Sequence, residues 1–353
     1  GALGVPDDWA VVQHVFTNPK HIQFHDTDLG KNVRVARHAV GLDEMRVDFT
    51  PTLWTNVILA EAEEEVETGR NVKQIWFPGV HGDIGGSYAD HGLGDVTLEW
   101  MIGEAHSEVL AFRHWMWRDI RPDTFGTLHD SITGYFRNRQ TRPRAVPDLR
   151  DPPANTEISD AVRKRRTNPA FSEPEYWPAH VLQPGQSRTV RVSAKPHWDR
   201  TGLFLEAEAC YHFEARGEWL DASIRATPAG PVFGPQFWKI GYVMAAPFEL
   251  LRSGYRKITG NPYAENLVIR AARRVPDAPW FCLIGVIANG AGVDHSTKRR
   301  REHEIIQIGC DKYHRLSRDG YLYCFANDAW GRYSNNRGNV ELTVTRVATE
   351  NCV

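Results

Sequence analysis

The chain has 353 residues, 41% hydrophobic and 24% charged, the composition of an ordinary soluble globular protein of about two domains. Its net charge of −2 leaves no electrostatic footprint for nucleic acid, and no apolar run approaches the ~20 residues needed to span a bilayer. The first residue is Gly1 rather than Met and no signal peptide precedes it, so the sequence reads as a fragment of something longer.

Residues 1–140 alternate helical and extended patterns. In 33–49, Val33, Ala36, Val40 and Met45 stand near helical spacing, which predicts a helix through the first half of that stretch. Residues 74–80 are a short apolar run stopped by Pro78 and Gly79, as expected of a buried strand entering a loop. Residues 99–112 read as a further helix, and this alternation predicts an α/β layer fold. Prolines from Pro143 to Pro184 punctuate 141–187, the wrapping end of the first domain plus a linker.

From Ser187 onward the pattern is β. Residues 189–193, 203–215, 280–288, 304–308, 321–326 and 340–347 are strand-like, with Gly, Asp and Asn between them, and predict a sandwich. The insert 229–274 is aromatic-rich, and Phe233, Phe237, Trp238, Tyr242 and Phe248 read as a satellite core or as a surface meeting a ligand or membrane. The basic run 298–301 reads as a solvated loop rather than a nucleic-acid patch. Cys210, Cys282, Cys310, Cys324 and Cys352 are odd in number and include no CxxC pair, so they read as unpaired thiols buried in strands. They leave the redox compartment open.

The chemistry concentrates in 74–88 (QIWFPGVHGDIGGSY), where His81 sits on a Gly-rich loop directly after an apolar strand. Glycines let the backbone turn sharply and let a substrate approach. In serine hydrolases the general-base histidine occupies such a loop, and its pKa should lie near neutrality to take and return a proton. His81 with Asp83 also suggests a metal pair, but no HExxH or other ligand spacing stands beside them. A structural histidine on a turn is the plainer alternative.

With 1–6 (GALGVP), 36–44 (ARHAVGLDE), 49–54 (FTPTLW) and the His129-Asp130-Ser131 triplet, this block resembles the catalytic domain of the type-1 phospholipase effectors of type VI secretion, over roughly 1–182. The resemblance implies an α/β-hydrolase and attack of a serine on a phospholipid ester, with His81 as base and then acid. In that family the nucleophile lies in a GFSRGA-like elbow and the acid in a DTVG-like stretch, whose glycine Gly1 matches. Both are therefore expected ahead of Gly1, and no GxSxG occurs in these residues. The resemblance makes Asp83 a supporting loop residue, with turn capping as its alternative. His38 and Asp43 are expected to brace a helix against the sheet, and Asp130 to anchor a turn.

A second constellation, Asn327-Asp328 with Arg332, Asn335, Asn336 and Gly338, precedes the apolar alternation of 340–347. Asp and Asn supply the hard oxygens that calcium needs, although Asn and Gly also make good hairpin turns. With 198–203, 214–219 and 283–285, the pattern resembles the calcium-dependent galactose-binding lectins of bacteria. That resemblance implies calcium held by the side chains of Asp328, Asn335 and Asn336 and the backbone carbonyl of Arg332. The sugar-contacting loop is replaced by the insert 229–274, and bulky Trp330 and Arg332 flank the site.

The whole reads as α/β plus all-β. Residues 1–185 are expected to form the C-terminal part of an α/β-hydrolase, a mostly parallel sheet with flanking helices, and 186–353 a lectin-like β-sandwich. The leading function is a serine ester hydrolase on phospholipid at a membrane surface, inactive as this fragment because the nucleophile is missing. Calcium would serve only the lectin-like half, and catalysis would need no cofactor. The alternative is a non-enzymatic carbohydrate-binding or targeting protein with the hydrolase half as scaffold. A secretion partner docking on 229–274 is a third reading. The compartment stays open, between a soluble cytoplasmic product and an exported effector.

Overall fold

The computed structural model describes residues 29–30, 32–51, 53–54, 70–134, 136, 140–152, 156–168, 175–232, 273–291, 293–294, 299–348, 350 and 352. They divide between two compact units. One lies within Phe24–Ala179 and Gly290–Glu302, the other within His180–Asn289 and His303–Val353. The matching stretch 1–6 and the five insert aromatics fall outside the described residues.

In the first unit β1 (Val35–Gly41) and β2 (Asn71–Phe77) pair in parallel, Val35 opposite Asn71 through Gly41 opposite Phe77. A two-residue strand, β3 (Glu157–Ile158), lies parallel on the other side of β2. β2 is therefore central, and Gln74, Ile75, Trp76 and Phe77 are all buried. A parallel strand covered on both faces reads as a continuous apolar run, and 74–80 has that signature. α1 (His81–Ile84) is a single turn, and α2 (Gly92–Ser107) and α3 (Asp160–Thr167) follow. Ser159 caps α3 through the Val162 N–H, with Asp160 in its first turn and Lys164, Arg165 and Arg166 in its last, each sign matched to the helix dipole.

Two expectations fail here. The helix expected over the first half of 33–49 is strand β1. Ala36 and Val40 are four apart, which suits a helix, but both also fall on one face of a strand, and both are buried on it. A run this short satisfies either period, and parallel pairing with β2 decides. The larger correction concerns the class. Among the described residues the parallel sheet has three strands, one of them two residues long, and the chain has three α-helices. The described residues are mostly antiparallel β, and among them no α/β-hydrolase sheet with flanking helices is formed. A parallel sheet grows by crossovers of a dozen or more residues between strands, and among the described residues of the first unit only β1, β2 and β3 pair in this way.

The second unit begins with β4 (Ser187–Ser193), β5 (Asp199–Leu205), β6 (Cys210–Asp221), β7 (Ile224–Thr227), β8 (Gly230–Pro231) and β9 (Leu283–Ile287). A short antiparallel pair, β10 (Val293–Asp294) with β11 (Arg299–Arg300), belongs to the first unit. The second unit then resumes with β12 (Glu304–Gln307), β13 (Asp311–Arg315), β14 (Gly320–Ala326) and β15 (Asn336–Val347). One sheet has the order β12-β9-β14-β5, the other β4-β15-β6-β7-β8 with β13 also on β6. Their inner faces share a core that includes Val192, Leu203, Tyr211, Phe213, Leu283, Leu322, Val340, Leu342 and Val344. β15 alternates cleanly, Val340, Leu342 and Val344 inward and Glu341 outward. Each such aliphatic side chain buried contributes about 1.5–3 kcal/mol. The single run 203–215 splits because the chain turns between β5 and β6, where Glu208 takes φ +60°.

The cysteines also depart from expectation. Cys210 and Cys352 form a disulfide with Cα atoms 5.9 Å apart, while Cys282 and Cys324 are buried and free and Cys310 is exposed and free.

Candidate functional site

His81 is the first residue of the turn that follows central strand β2. The chain can make this corner because Gly79 takes φ +109°, where a Cβ would stand 2.5 Å from that of Asp83. The His81 ring reaches solvent while packing on Phe49, with centroids 4.8 Å apart. Among the described residues its ring nitrogens have no hydrogen-bond partner. Its backbone N–H donates to Glu44 Oε2 at 3.1 Å.

Glu44, fully buried, is the hub beneath it. It accepts from Arg46 Nε at 2.9 Å, Arg46 Nη2 at 2.7 Å and Ser131 Oγ at 3.1 Å. Burial alone would raise its pKa, but the bonds from Arg46 outweigh that and hold it ionised below the usual carboxylate range. The Arg46 guanidinium lies over the Phe49 ring at 3.8 Å. Arg144, buried and donating to Gly41 O and Phe49 O, is pushed down to about 10 by burial. Crowding by protein also lowers the His81 pKa, opposed by the charge of Glu44 and reinforced by Arg144 and Arg46. The imidazole is thus neutral at pH 7, the state a general base needs.

Asp83 is turned away from this cluster. Its carboxylate accepts the Val80 N–H at 2.9 Å, the His129 N–H at 3.3 Å and His129 Nδ1 at 2.6 Å. Tyr88 stacks on the His129 ring at 3.8 Å. Asp43 accepts the Gly79 N–H, Tyr176 OH and Trp177 Nε1–H, each at 2.8 Å, and so braces the end of β2 rather than a helix. His38 Nδ1 meets Gln74 Oε1 at 3.1 Å, between neighbouring strands. Asp130 Oδ1 accepts the Ile132 N–H, a turn contact. Glu44, His129 and Ser131 stood inside the recognised stretches but carried no assigned role, and Arg144 had no signal at all.

In the second unit, Asp328 and Asn336 are buried side by side in the chain's last loop and strand. Asp328 Oδ1 accepts the Ala329 N–H at 2.7 Å, while Oδ2 is buried without a partner. Asn336 Nδ2 donates to Ala194 O at 3.2 Å, while its Oδ1 is likewise buried without a partner. Burial, then the negative charge of Asp221, pushes the Asp328 carboxyl up to about 7. Asn335 Nδ2 donates to Asp221 Oδ1 at 2.6 Å, and the Arg332 carbonyl accepts the Asn335 N–H at 3.3 Å. The Arg332 side chain is exposed. Two orphaned buried oxygens beside a second carboxylate are a hard-oxygen set that fits a divalent cation such as calcium. Beside it, the Arg274 guanidinium lies over Phe325 at 3.4 Å, Trp198 at 4.1 Å and Trp330 at 4.2 Å. On the outer face of β6 and β13, His212, Glu214 and Asp311 also bring ligand atoms within 4.8 Å of one another.

Residues 1–104 match the family described as T6SS phospholipase effector Tle1-like, catalytic domain. At that level the first part of the chain is similar to a phospholipase effector. A solved structure described as an EclA N-terminal domain, PllA-like lectin, is 20% identical over 45% of this chain and 94% of its own, with a TM-score of 0.26. No curated protein matches the chain significantly. No helix among the described residues is long and apolar enough to cross a membrane.

Proposed function

We propose that the first unit carries the general base of a serine ester hydrolase acting on phospholipid, and that His81 is that base. The observation behind it is the placement of an exposed imidazole, its pKa lowered, at the C-terminal end of the central parallel strand. It stands on a glycine corner, within the stretch similar to phospholipase effectors. A serine hydroxyl would lose its proton to His81 as its oxygen bonds the ester carbonyl carbon, and His81 would return that proton to the departing alcohol. Glu44 holds the backbone of His81 and, as a fixed negative charge, favours the imidazolium that forms.

Turnover is to be measured on the product of the intact gene, as fatty-acid release from phospholipid vesicles together with labelling by a fluorophosphonate. His81→Ala should remove most release and leave the circular dichroism unchanged. Retained release, or a protein that never takes the label, overturns the reading.

A second reading concerns the loop at Asp328, where the orphaned oxygens favour a cation. We propose that Asp328 and Asn336, with Asn335 and the Arg332 carbonyl, hold calcium, and that a glycan is the ligand class for that face. Bound calcium would supply open coordination positions for sugar hydroxyls. Calcium-dependent retention on a glycan array tests it, and retention unaffected by chelator would exclude it.

A further inference from the structure

We infer that the stretch from the end of α2 to His129 is a membrane-docking face that takes the surface of a bilayer containing anionic phospholipid. It bears on the phospholipid reading only in that such a surface is where the substrate would lie. Val109 is 92% exposed, Trp115 57%, and Leu110, Trp117, Phe125 and Leu128 are exposed as well. The 3-10 turn His114–Arg118 has no buried residue. Val109 also takes φ +71°, a left-handed backbone that a β-branched residue adopts only under strain. Strain combined with near-complete exposure of an apolar side chain does nothing for packing, and clustered exposure of this kind marks an interaction surface.

The segment is anchored at both ends. α2 starts against α1, where a Cβ on Gly94 would meet Gly86 Cα at 2.7 Å. After α2 the chain returns, Arg121 N–H donating to Asp95 Oδ2 at 2.7 Å and Asp123 N–H to Gly92 O at 3.0 Å. It then reaches Asp83 through His129. The apolar side chains therefore run from the far end of α2, about 24 Å away, back toward the loop that bears His81.

The polar chemistry selects the occupant. Arg113, His114, Trp115, Met116, Trp117 and Arg118 are consecutive, with Arg121 close behind. Among the described residues none of these three guanidinium groups has a carboxylate within ion-pair distance. Of the nearby acids, Glu108 is held by Asn71 and Arg37, and Asp123 accepts the Phe125 N–H; Asp119 remains. Tryptophan, apolar with one polar edge, suits the headgroup level of a bilayer, and arginine binds phosphate oxygens bidentately. The core of a protein interface is instead depleted of charge. With no spanning helix among the described residues, this face would lie on the membrane.

The chain is to be sedimented with vesicles of non-hydrolysable ether-linked phosphatidylcholine, with and without phosphatidylglycerol, while tryptophan fluorescence is followed. Binding should favour the anionic vesicles, weaken with salt and shift the emission to the blue. Trp115→Ser with Trp117→Ser should weaken it at least about tenfold, and Arg113→Gln with Arg118→Gln should erase the anionic preference. Melting curves should stay unchanged, because these side chains are exposed. No vesicle binding by the native chain, or equal binding by the tryptophan variant, overturns the inference. So does self-association lost in that variant with vesicles ignored, which would assign the face to a second copy. Ether lipids keep hydrolysis out of the readout. Docking by the product of the intact gene without any cleavage of ester lipid defeats the esterase reading and leaves this one standing.

Discussion

Asp83 Oδ1 stands 2.6 Å from Nδ1 of His129, although 46 residues separate them. A buried carboxylate holding a histidine by Nδ1 is the orienting half of a Ser-His-Asp triad, yet here it is His129, not His81, that is held. Asp83 also accepts two backbone N–H groups, so it ties the 129–131 segment to the corner on which His81 sits. Asp83→Asn should cost about 1–3 kcal/mol by thermal melting, since a buried acceptor of three bonds is weakened. It should also lower kcat about tenfold with KM little changed, because a loosened corner misplaces the base without touching the lipid site. Equal kcat in the variant would make the pair a purely structural clip.

The pH dependence of turnover follows from the His81 environment. Burial and the charges of Arg144 and Arg46 lower its pKa below the ordinary 6.5, against the charge of Glu44. The base is active when neutral, so the acid limb of kcat/KM should fall below pH 6.5. Glu44→Gln removes a charge that raises the His81 pKa, so the limb should move further toward acid. The same change strands Arg46 half-buried and should cost about 3 kcal/mol of stability, read by denaturant titration. A limb that moves toward alkali in Glu44→Gln would contradict the arrangement described.

What the sequence made legible was local. The apolar run ending at Pro78 and Gly79 fixed β2 and its corner, because a fully buried strand followed by a breaker has few other readings. The partners of His81 were not legible, because Glu44 and Arg144 act on it from 37 or more residues away and Ser131 is tied in only through Glu44. The sequence of β1 fits helix as well as strand because Ala36 and Val40 satisfy both periods. Asp328 and Asn336 could be picked as oxygen donors from their loop, but their burial and the nearby Asp221 come from β15 pairing with β6, which sets Asn336 opposite Asp221.

The Cys210–Cys352 disulfide belongs to the same class of hidden relationship, since an odd cysteine count hides which thiols meet. It closes 142 residues of sequence and ties the start of β6 to the end of the chain. Closing so long a loop restricts the unfolded state and is worth about 2–5 kcal/mol. Cys352→Ser should lower the melting temperature of the second unit, and dithiothreitol should do the same to the native chain but not to the variant. Non-reducing peptide mapping checks the pairing directly. A bond from Cys210 to Cys310 or Cys282 instead would refute it.

The orphaned oxygens of Asp328 and Asn336 make a prediction with a definite sign. Without a cation, burial and the charge of Asp221 outweigh the Ala329 N–H, Asn336 and the charge of Arg332 at Asp328, so its ionised form is costly. Asp328→Asn should therefore stabilise the chelated protein at neutral pH, by about 1–3 kcal/mol. Calcium should reverse the order. It should raise the melting temperature of the native chain, while Asp328→Asn and Asn336→Ala should each lose most of that gain. The Asn336 variant separates ligation from simple charge removal, because it deletes an oxygen and no charge. Calorimetry in calcium and in chelator reads both effects. Should calcium leave the native melting temperature unmoved while Asp328→Asn still stabilises, the loop is an uncompensated buried acid and not a metal site.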